Sequence, residues 1–359
     1  MKTRLIILLL LGFLNDAYPQ SLLKAADSIR RHYDIPELSY AVVRADSVFE
    51  MAALGRHSIL LPDTATLNDR FHLGSNTKAM TAFVIAKYVE EGKLKWTTKF
   101  FDLFPEWKFQ SERYYRNITL LDLLTHRAGI PPFQGDQDPV IPNFQGDNAH
   151  KRYLFAKFVL KQAPEKPSAQ HPFVYSNAGY TLAALMVEKV TQMSWETLIK
   201  RVFNQDLNLN VGFSWPDNQT TKDTWGHRTN DGIMKPLGSH QMYHLDYTEP
   251  AGDINMTMPD YVRFIQLNLK GLSGSDAYLK ASTYFFIHNC RPAYALGWFN
   301  IVEGDNIFSS HSGTGDFTYY SIAQIDRRKG LAYIVFANAY NEATLEGVRM
   351  LMRKMKESN

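Results

Sequence analysis

The apolar positions of the chain change period several times, and each change marks an element. Residues 21–33 place Leu22, Leu23, Ala26 and Ile29 on one face of an amphipathic helix. Residues 38–44 and 47–54 then read as two strands, hinged at Ala45-Asp46 and ended by Gly55. A polar, proline-marked connection over 56–70 leads into the short apolar segment Phe71-His72-Leu73, which stops at Gly74. From there Ala79, Met80, Phe83, Val84, Ile85 and Ala86 recur at helical spacing until Glu90-Glu91-Gly92. Helical patterns return at 118–124, where Thr119 and Asp122 have the spacing of a capping pair, and at 149–161, 178–191, 195–203, 258–270 and 342–355. Residues 293–339 alternate aromatic and β-branched side chains between turns at Gly304-Asp305 and 327–330, which predicts antiparallel strands. Two stretches resist assignment. Residues 131–147 form a proline- and glycine-rich loop carrying Phe-Gln-Gly-Asp twice, at 133–136 and 144–147, and 204–250 shows no readable period.

Strand-rich ends around a helical middle predict an α+β fold. The expected architecture is one antiparallel sheet built from N- and C-terminal segments with flanking helices, plus a helical subdomain. The expected division is a leader at 1–20 and a single catalytic domain over 21–359, with 21–74 and 251–359 as its α/β part and 75–250 as its mainly helical part. The leader reading rests on Lys2 and Arg4 ahead of an apolar run at 5–14, with a cleavable site after Ala17. It implies a secreted or periplasmic protein, with an uncleaved membrane anchor as the alternative.

Composition removes several function classes. With 359 residues, 45% of them hydrophobic, the chain can bury a large core. The formal charge of +3 is spread over mixed signs with no basic stripe, so nucleic acid is not expected as a partner. Cys290 stands alone, which excludes an intrachain disulfide and a cysteine-rich metal site. His240, His244, Asp246 and Glu249 cluster in sequence without an H-E-x-x-H pattern, so neither metal nor cofactor is expected.

Nucleophile chemistry points to Ser75-Asn76-Thr77-Lys78. Ser75 falls at the first turn of a buried helix and Lys78 one turn later on the same face. An amine so placed can take the serine proton, while burial and the helix N-terminus both favour its neutral form. The spacing alone is weak, because Ser21-Leu22-Leu23-Lys24 also fits it. Two further stretches add to it. Tyr175-Ser176-Asn177 puts a phenol, which a nearby ammonium would pull towards phenolate, beside an amide able to orient a lysine or a substrate carbonyl. By itself it also reads as a half-buried aromatic and a helix N-cap, and Tyr115-Arg116-Asn117 has the same pattern. His311-Ser312-Gly313-Thr314 supplies a titratable ring, a hydroxyl and a glycine that lets the Thr314 amide approach a ligand oxygen. Alone it equally fits a glycine hairpin.

Taken in order and spacing, Ser75-x-x-Lys78, Tyr175-x-Asn177 and His311-Ser312-Gly313 resemble the three signature elements of the serine β-lactamase and penicillin-binding superfamily. The branch resembled is that of class C β-lactamases, D-alanyl-D-alanine carboxypeptidases and family VIII esterases. Phe71-His72-Leu73-Gly74, the run 123–130, Glu249-Pro250-Ala251-Gly252 and Tyr294-Ala295-Leu296-Gly297-Trp298-Phe299 extend the likeness over about residues 25–350. The resemblance implies Ser75 as acyl-accepting nucleophile, Lys78 as its base or proton relay and Tyr175 as the acid/base serving the leaving group. It implies the Ser75 and Thr314 amides as an oxyanion hole and Asn177 as a contact to the acyl amide. His311 stands where many β-lactamases carry lysine, so the site should bind anionic groups less well and hydrolyse β-lactams poorly. The 166–169 stretch, Lys-Pro-Ser-Ala, also departs from the usual Pro-Gly turn. The expected function is hydrolysis of small amides or esters through an acyl-enzyme, D-amino-acid peptides of the cell wall among them. An esterase on the same machinery and a non-catalytic binding protein with the same fold are the alternatives.

Overall fold

The structure, a computed structural model, describes residues 17–134, 139–218, 223–242 and 244–358. The expected leader lies outside these residues except for its last four, which already belong to the first helix. In chain order the strands are β1 (Glu37–Val43), β2 (Val48–Gly55), β3 (Arg70–His72), β4 (Gly212–Phe213), β5 (Gly226–Asn230), β6 (Ile233–Leu237), β7 (Ile254–Thr257), β8 (Phe299–Glu303), β9 (Asn306–Gly315), β10 (Tyr319–Asp326), β11 (Leu331–Ala337) and β12 (Ala339–Tyr340). The helices are α1 (Ala17–His32), α2 (Thr77–Glu90), α3 (Phe100–Leu103), α4 (Leu120–Leu124), α5 (Asn148–Val159), α6 (Asn177–Thr191), α7 (Trp195–Ile199), α8 (Glu249–Gly252), α9 (Met258–Leu272), α10 (Ala281–Asn289) and α11 (Glu342–Glu357).

Both ends of the chain build one antiparallel sheet, in the order β2-β1-β11-β10-β9-β8. Its central strands are buried on both faces, and the two-residue period decides which side chain goes where. Leu38, Tyr40 and Val42 of β1, with Tyr333 and Val335 of β11, face α1 and α11. Ala41, Val43, Ile334 and Phe336 face the opposite way, into the larger core that contains α2, α6 and α9. The fold is therefore α+β, with antiparallel strands from both termini covered by helices. No helix among the described residues is long and apolar enough to cross a membrane.

Local signals held where the chemistry is local. Thr119 caps α4, accepting from the Asp122 amide while the Asp122 carboxylate takes the Thr119 amide. Other expectations need correcting. Leu23, placed on the apolar face of the first helix, is 40% exposed, while Leu22, Ala26 and Ile29 are buried. The unassigned 204–250 region holds β4 and the hairpin β5–β6, which turns at Asp231-Gly232 with positive φ at both residues. Beyond α7 the chain continues as a π-helical turn, Lys200–Asp206.

Candidate active site

Ser75 sits in a single 3₁₀ turn, Gly74–Asn76, which runs directly into α2. The turn is wedged against β9. A Cβ on Gly313 would stand 2.2 Å from the Leu73 carbonyl oxygen and 2.4 Å from the Ser75 amide nitrogen, so only glycine fits there. Gly74, at φ +50°, meets the Thr314 backbone equally closely, with its own absent Cβ 2.6 Å from the Thr314 nitrogen. Strand and nucleophile turn are thus held backbone to backbone, with the Ser75 and Thr314 amides on either side of the contact.

Lys78 is fully buried one turn below Ser75. Its Nζ lies 3.1 Å from Ser75 Oγ, 2.7 Å from Asn177 Oδ1 and 2.9 Å from the Ala251 carbonyl oxygen. The last two atoms only accept, so a neutral amine spends both N–H bonds on them and turns its lone pair to Ser75. The amide of Asn177 is fixed the right way round, because its Nδ2 donates to the Phe133 carbonyl at 2.9 Å. Burial holds Lys78 well below the ordinary lysine value.

Tyr175 stands over this lysine, with Nζ 4.6 Å from its ring centroid. Burial raises its phenol above the usual tyrosine value, against a smaller opposing effect of the nearby Ser75 side chain. This corrects the expectation of a phenolate-leaning tyrosine. In this site desolvation outweighs attraction, pushing the amine and the phenol each towards the neutral form.

The Tyr175-Ser176-Asn177 stretch is clamped by the loop that follows α4. Ser176, and not Asn177, is the N-cap of α6, accepting from the Gly179 amide at 3.0 Å while its hydroxyl donates to the Pro131 carbonyl at 2.7 Å. The Asn177 amide donates to Pro132 O at 2.8 Å, and Gln134 Nε2 donates to Tyr175 O at 3.1 Å. The repeated tetrapeptide has a packing role, since Phe133 and Phe144 both rest on Phe158; part of its first copy lies outside the described residues.

His311 is buried beside Tyr175, ring centroids 6.2 Å apart. Its Nδ1 faces the Ser312 carbonyl at 2.9 Å and must donate there, which leaves Nε2 to accept from the Tyr294 hydroxyl at 3.3 Å. Burial, reinforced by Lys78, lowers its pKa to about 3, so the ring is neutral. Ser312 is exposed beside Tyr320 and is not among the described residues lining the cleft. Thr314 lines the cleft with Ser75 and Asn177.

Three stretches valued in the sequence only for likeness turn out to supply contacts. Ala251 gives Lys78 its second acceptor, and Tyr294 fixes the His311 tautomer. His126, at φ +60°, takes the Ser176 amide on Nδ1 at 3.1 Å and packs its ring 4.4 Å from that of Tyr175. Behind α8, Arg152 is buried among Glu188, Glu196 and Glu249, and burial raises the Glu249 carboxyl to about 8. A lone arginine in an apolar helix pattern carried no signal for this. Cys290 is a free thiol pushed up to about 11 by burial. No group of acidic, histidine or cysteine side chains among the described residues could hold a metal.

A family model described as Beta-lactamase matches residues 22–352. "Protein flp" of Staphylococcus aureus (strain N315) is 25% identical over 320 residues, covering 86% of this chain and 60% of its own length. The chain thus spans about three fifths of these staphylococcal relatives. "Penicillin-binding protein 4" of Amycolatopsis lactamdurans is 22% identical over 355 residues, covering 90% and 89%. Among solved structures, the D-amino acid amidase of Ochrobactrum anthropi SV3 complexed with L-phenylalanine amide superposes with a TM-score of 0.71 at 19% identity, covering 94% of this chain and 99% of that one.

Proposed function

Because the chain belongs to the beta-lactamase family, we propose that it is a serine hydrolase working through an acyl-enzyme on small amides or esters. The observation that carries this is Lys78, buried, with two acceptors holding its N–H bonds and its third contact on Ser75 Oγ. In the forward step Lys78 takes the Ser75 proton as Oγ bonds to the substrate carbonyl carbon. The resulting oxyanion is held by the Ser75 and Thr314 amides. Collapse breaks the bond to the leaving amine or alcohol. That group is protonated through the Tyr175 hydroxyl, with the proton Lys78 accepted replacing the one Tyr175 gives up. Water then repeats the sequence on the ester of Ser75 and frees the acid.

His311 shapes the substrate range. A neutral ring in place of a charged side chain offers an anionic leaving group no counter-ion, so β-lactams and peptides ending in carboxylate should turn over slowly. Export to the periplasm or medium, expected from residues 1–20, is part of the same reading, as is the grouping of both halves into one catalytic domain.

The test compares a p-nitrophenyl ester, a D-alanyl-D-alanine peptide, a D-amino-acid amide and nitrocefin on wild type and Ser75→Ala. Turnover of an ester or amide that exceeds nitrocefin turnover and disappears with Ser75 is expected. Ligand binding without turnover, unchanged in Ser75→Ala, would mean a binding protein on this fold.

A further inference from the structure

Strand β9 meets the nucleophile turn at alternate glycines, and the second of them leads to a side chain that takes no part in the proton transfers of Ser75, Lys78 and Tyr175. Gly313 packs on Ser75, whereas Gly315 packs on His72, where a Cβ would stand 2.5 Å from the ring Nδ1. His72 is the last residue of β3, two positions before Gly74, and its backbone pairs with Asn255 of β7. The residue is 1% exposed, and its ring stacks on that of Trp215 with centroids 4.0 Å apart. Both rings help to line the cavity of about 90 Å³ that opens beside Ser75.

The two ring nitrogens have different neighbours. Nδ1 lies 3.2 Å from the Gly74 amide nitrogen. That amide can only donate, so Nδ1 presents its lone pair and the ring carries its proton on Nε2. Nε2 makes no hydrogen bond among the described residues and faces Asp253 Oδ1 at 3.8 Å, where a carboxylate favours an N–H over a lone pair. Asp253 is held in turn, since its Oδ2 and its backbone oxygen accept from the Ser214 amide at 3.1 and 2.8 Å. A ring fixed by Trp215, Gly315 and Asp253 keeps one orientation, with a lone pair aimed at Gly74. Gly74 is the first residue of the 3₁₀ turn and stands at φ +50°, a conformation that glycine alone adopts at little cost. The first amides of a helical turn have no partner within it, and His72 supplies one for Gly74. The Ser75 amide, next along the chain, is the one read above as an oxyanion donor.

We propose that His72 is a positioning residue for the oxyanion hole: its Nδ1 fixes the Gly74 amide and, through it, the direction of the Ser75 amide that takes the substrate oxygen. This rests on the serine-hydrolase reading above and adds to it a side chain outside Ser75, Lys78 and Tyr175. Misdirecting one donor weakens transition-state binding more than substrate binding, because the charge on the oxygen develops only as Ser75 attacks.

Two amide substitutions separate the two nitrogens. Asparagine carries its polar atoms as many bonds from the backbone as Nδ1, and glutamine as many as Nε2. With a p-nitrophenyl ester, His72→Gln should lower kcat about tenfold or more with KM within about threefold of wild type, the mark of a loss felt in the transition state. His72→Asn, which keeps an acceptor for Gly74, should hold kcat within about threefold. Activity kept by glutamine and lost by asparagine would assign the role to the Asp253 side of the ring and overturn the proposal. Equal kcat in the two variants overturns it as well, and so does a raised KM with kcat unchanged in His72→Gln, which would mean a substrate contact. Should either variant fail to fold, the wild-type protein decides. The imidazole nitrogen-15 NMR shifts of His72 must show Nδ1 without a proton and Nε2 with one, and a proton on Nδ1 overturns the proposal. If wild type neither cleaves the ester nor takes an acylating probe at Ser75, the underlying hydrolase reading has failed and this inference falls with it.

Discussion

Lys78 can serve Ser75 as a base or as a fixed charge, and the two roles separate by substitution. Lys78→Met should slow acylation by about 10²–10⁴-fold, the usual range for a lost general base. Lys78→Arg keeps a charge that cannot be given up at working pH, so it should be nearly as slow. Rescue by arginine would show that charge alone matters. Stopped-flow acylation with a chromogenic ester reads both. Gly313 makes the second residue-scale prediction. Alanine there drives a Cβ to within 2.4 Å of the Ser75 nitrogen and must push β9 off the nucleophile turn. Gly313→Ala should lose most activity and lower Tm, whereas Ser312→Ala, at an exposed neighbour, should change Tm little. Equal effects of the two would mean that the backbone contact is not what holds the site.

At the scale of elements, α6 depends on Ser176, which caps the helix and ties it to Pro131. Ser176→Ala should cost about 0.5–2 kcal/mol of stability for the cap and lower kcat, since Tyr175 and Asn177 flank it. Thr at 176 should restore most of both, and a Tm loss with kcat untouched would uncouple cap from chemistry. Elements set by neighbours in sequence were the legible ones: the Thr119/Asp122 cap, the helix after Ser75, and the β-branched and aromatic alternation of β9–β11. The hairpin β5–β6 carried its own signature in Asp231-Gly232, hidden because β6 is short, half-exposed and interrupted by Pro236. The 131–134 clamp could not be read, because its bonds tie two backbone carbonyls and the Gln134 amide to residues more than 40 positions away. Nor could the neutral state of Tyr175, since burial is a property of the packed molecule and sequence displayed only the charges.

For the whole molecule, the buried histidines set the response to acid. Burial holds His126 and His288 well below 6.5, His227 at about 4 and His311 at about 3. Their folded values lie below the unfolded one, so the unfolded chain binds more protons and stability falls as pH drops below about 6.5. Each contributes at most about 1.4 kcal/mol per pH unit. Four carboxyls raised by burial, Glu37, Glu50, Glu188 and Glu249, act in the opposite sense, so the histidine contribution is read by difference: His227→Gln should lose less stability than wild type between about pH 6.5 and pH 5. Urea unfolding of the two proteins across that range should show the smaller loss, and equal pH slopes contradict it. The same burial brings together residues 75, 78, 175 and 311 from across the chain, and that meeting is what the functional account requires. Intact mass after exposure to a fluorophosphonate tests it most directly. The account predicts one adduct per chain, mapped to Ser75, absent in Ser75→Ala and slowed in Lys78→Met. No adduct on the folded protein, or one that survives Ser75→Ala at the same rate, would contradict it.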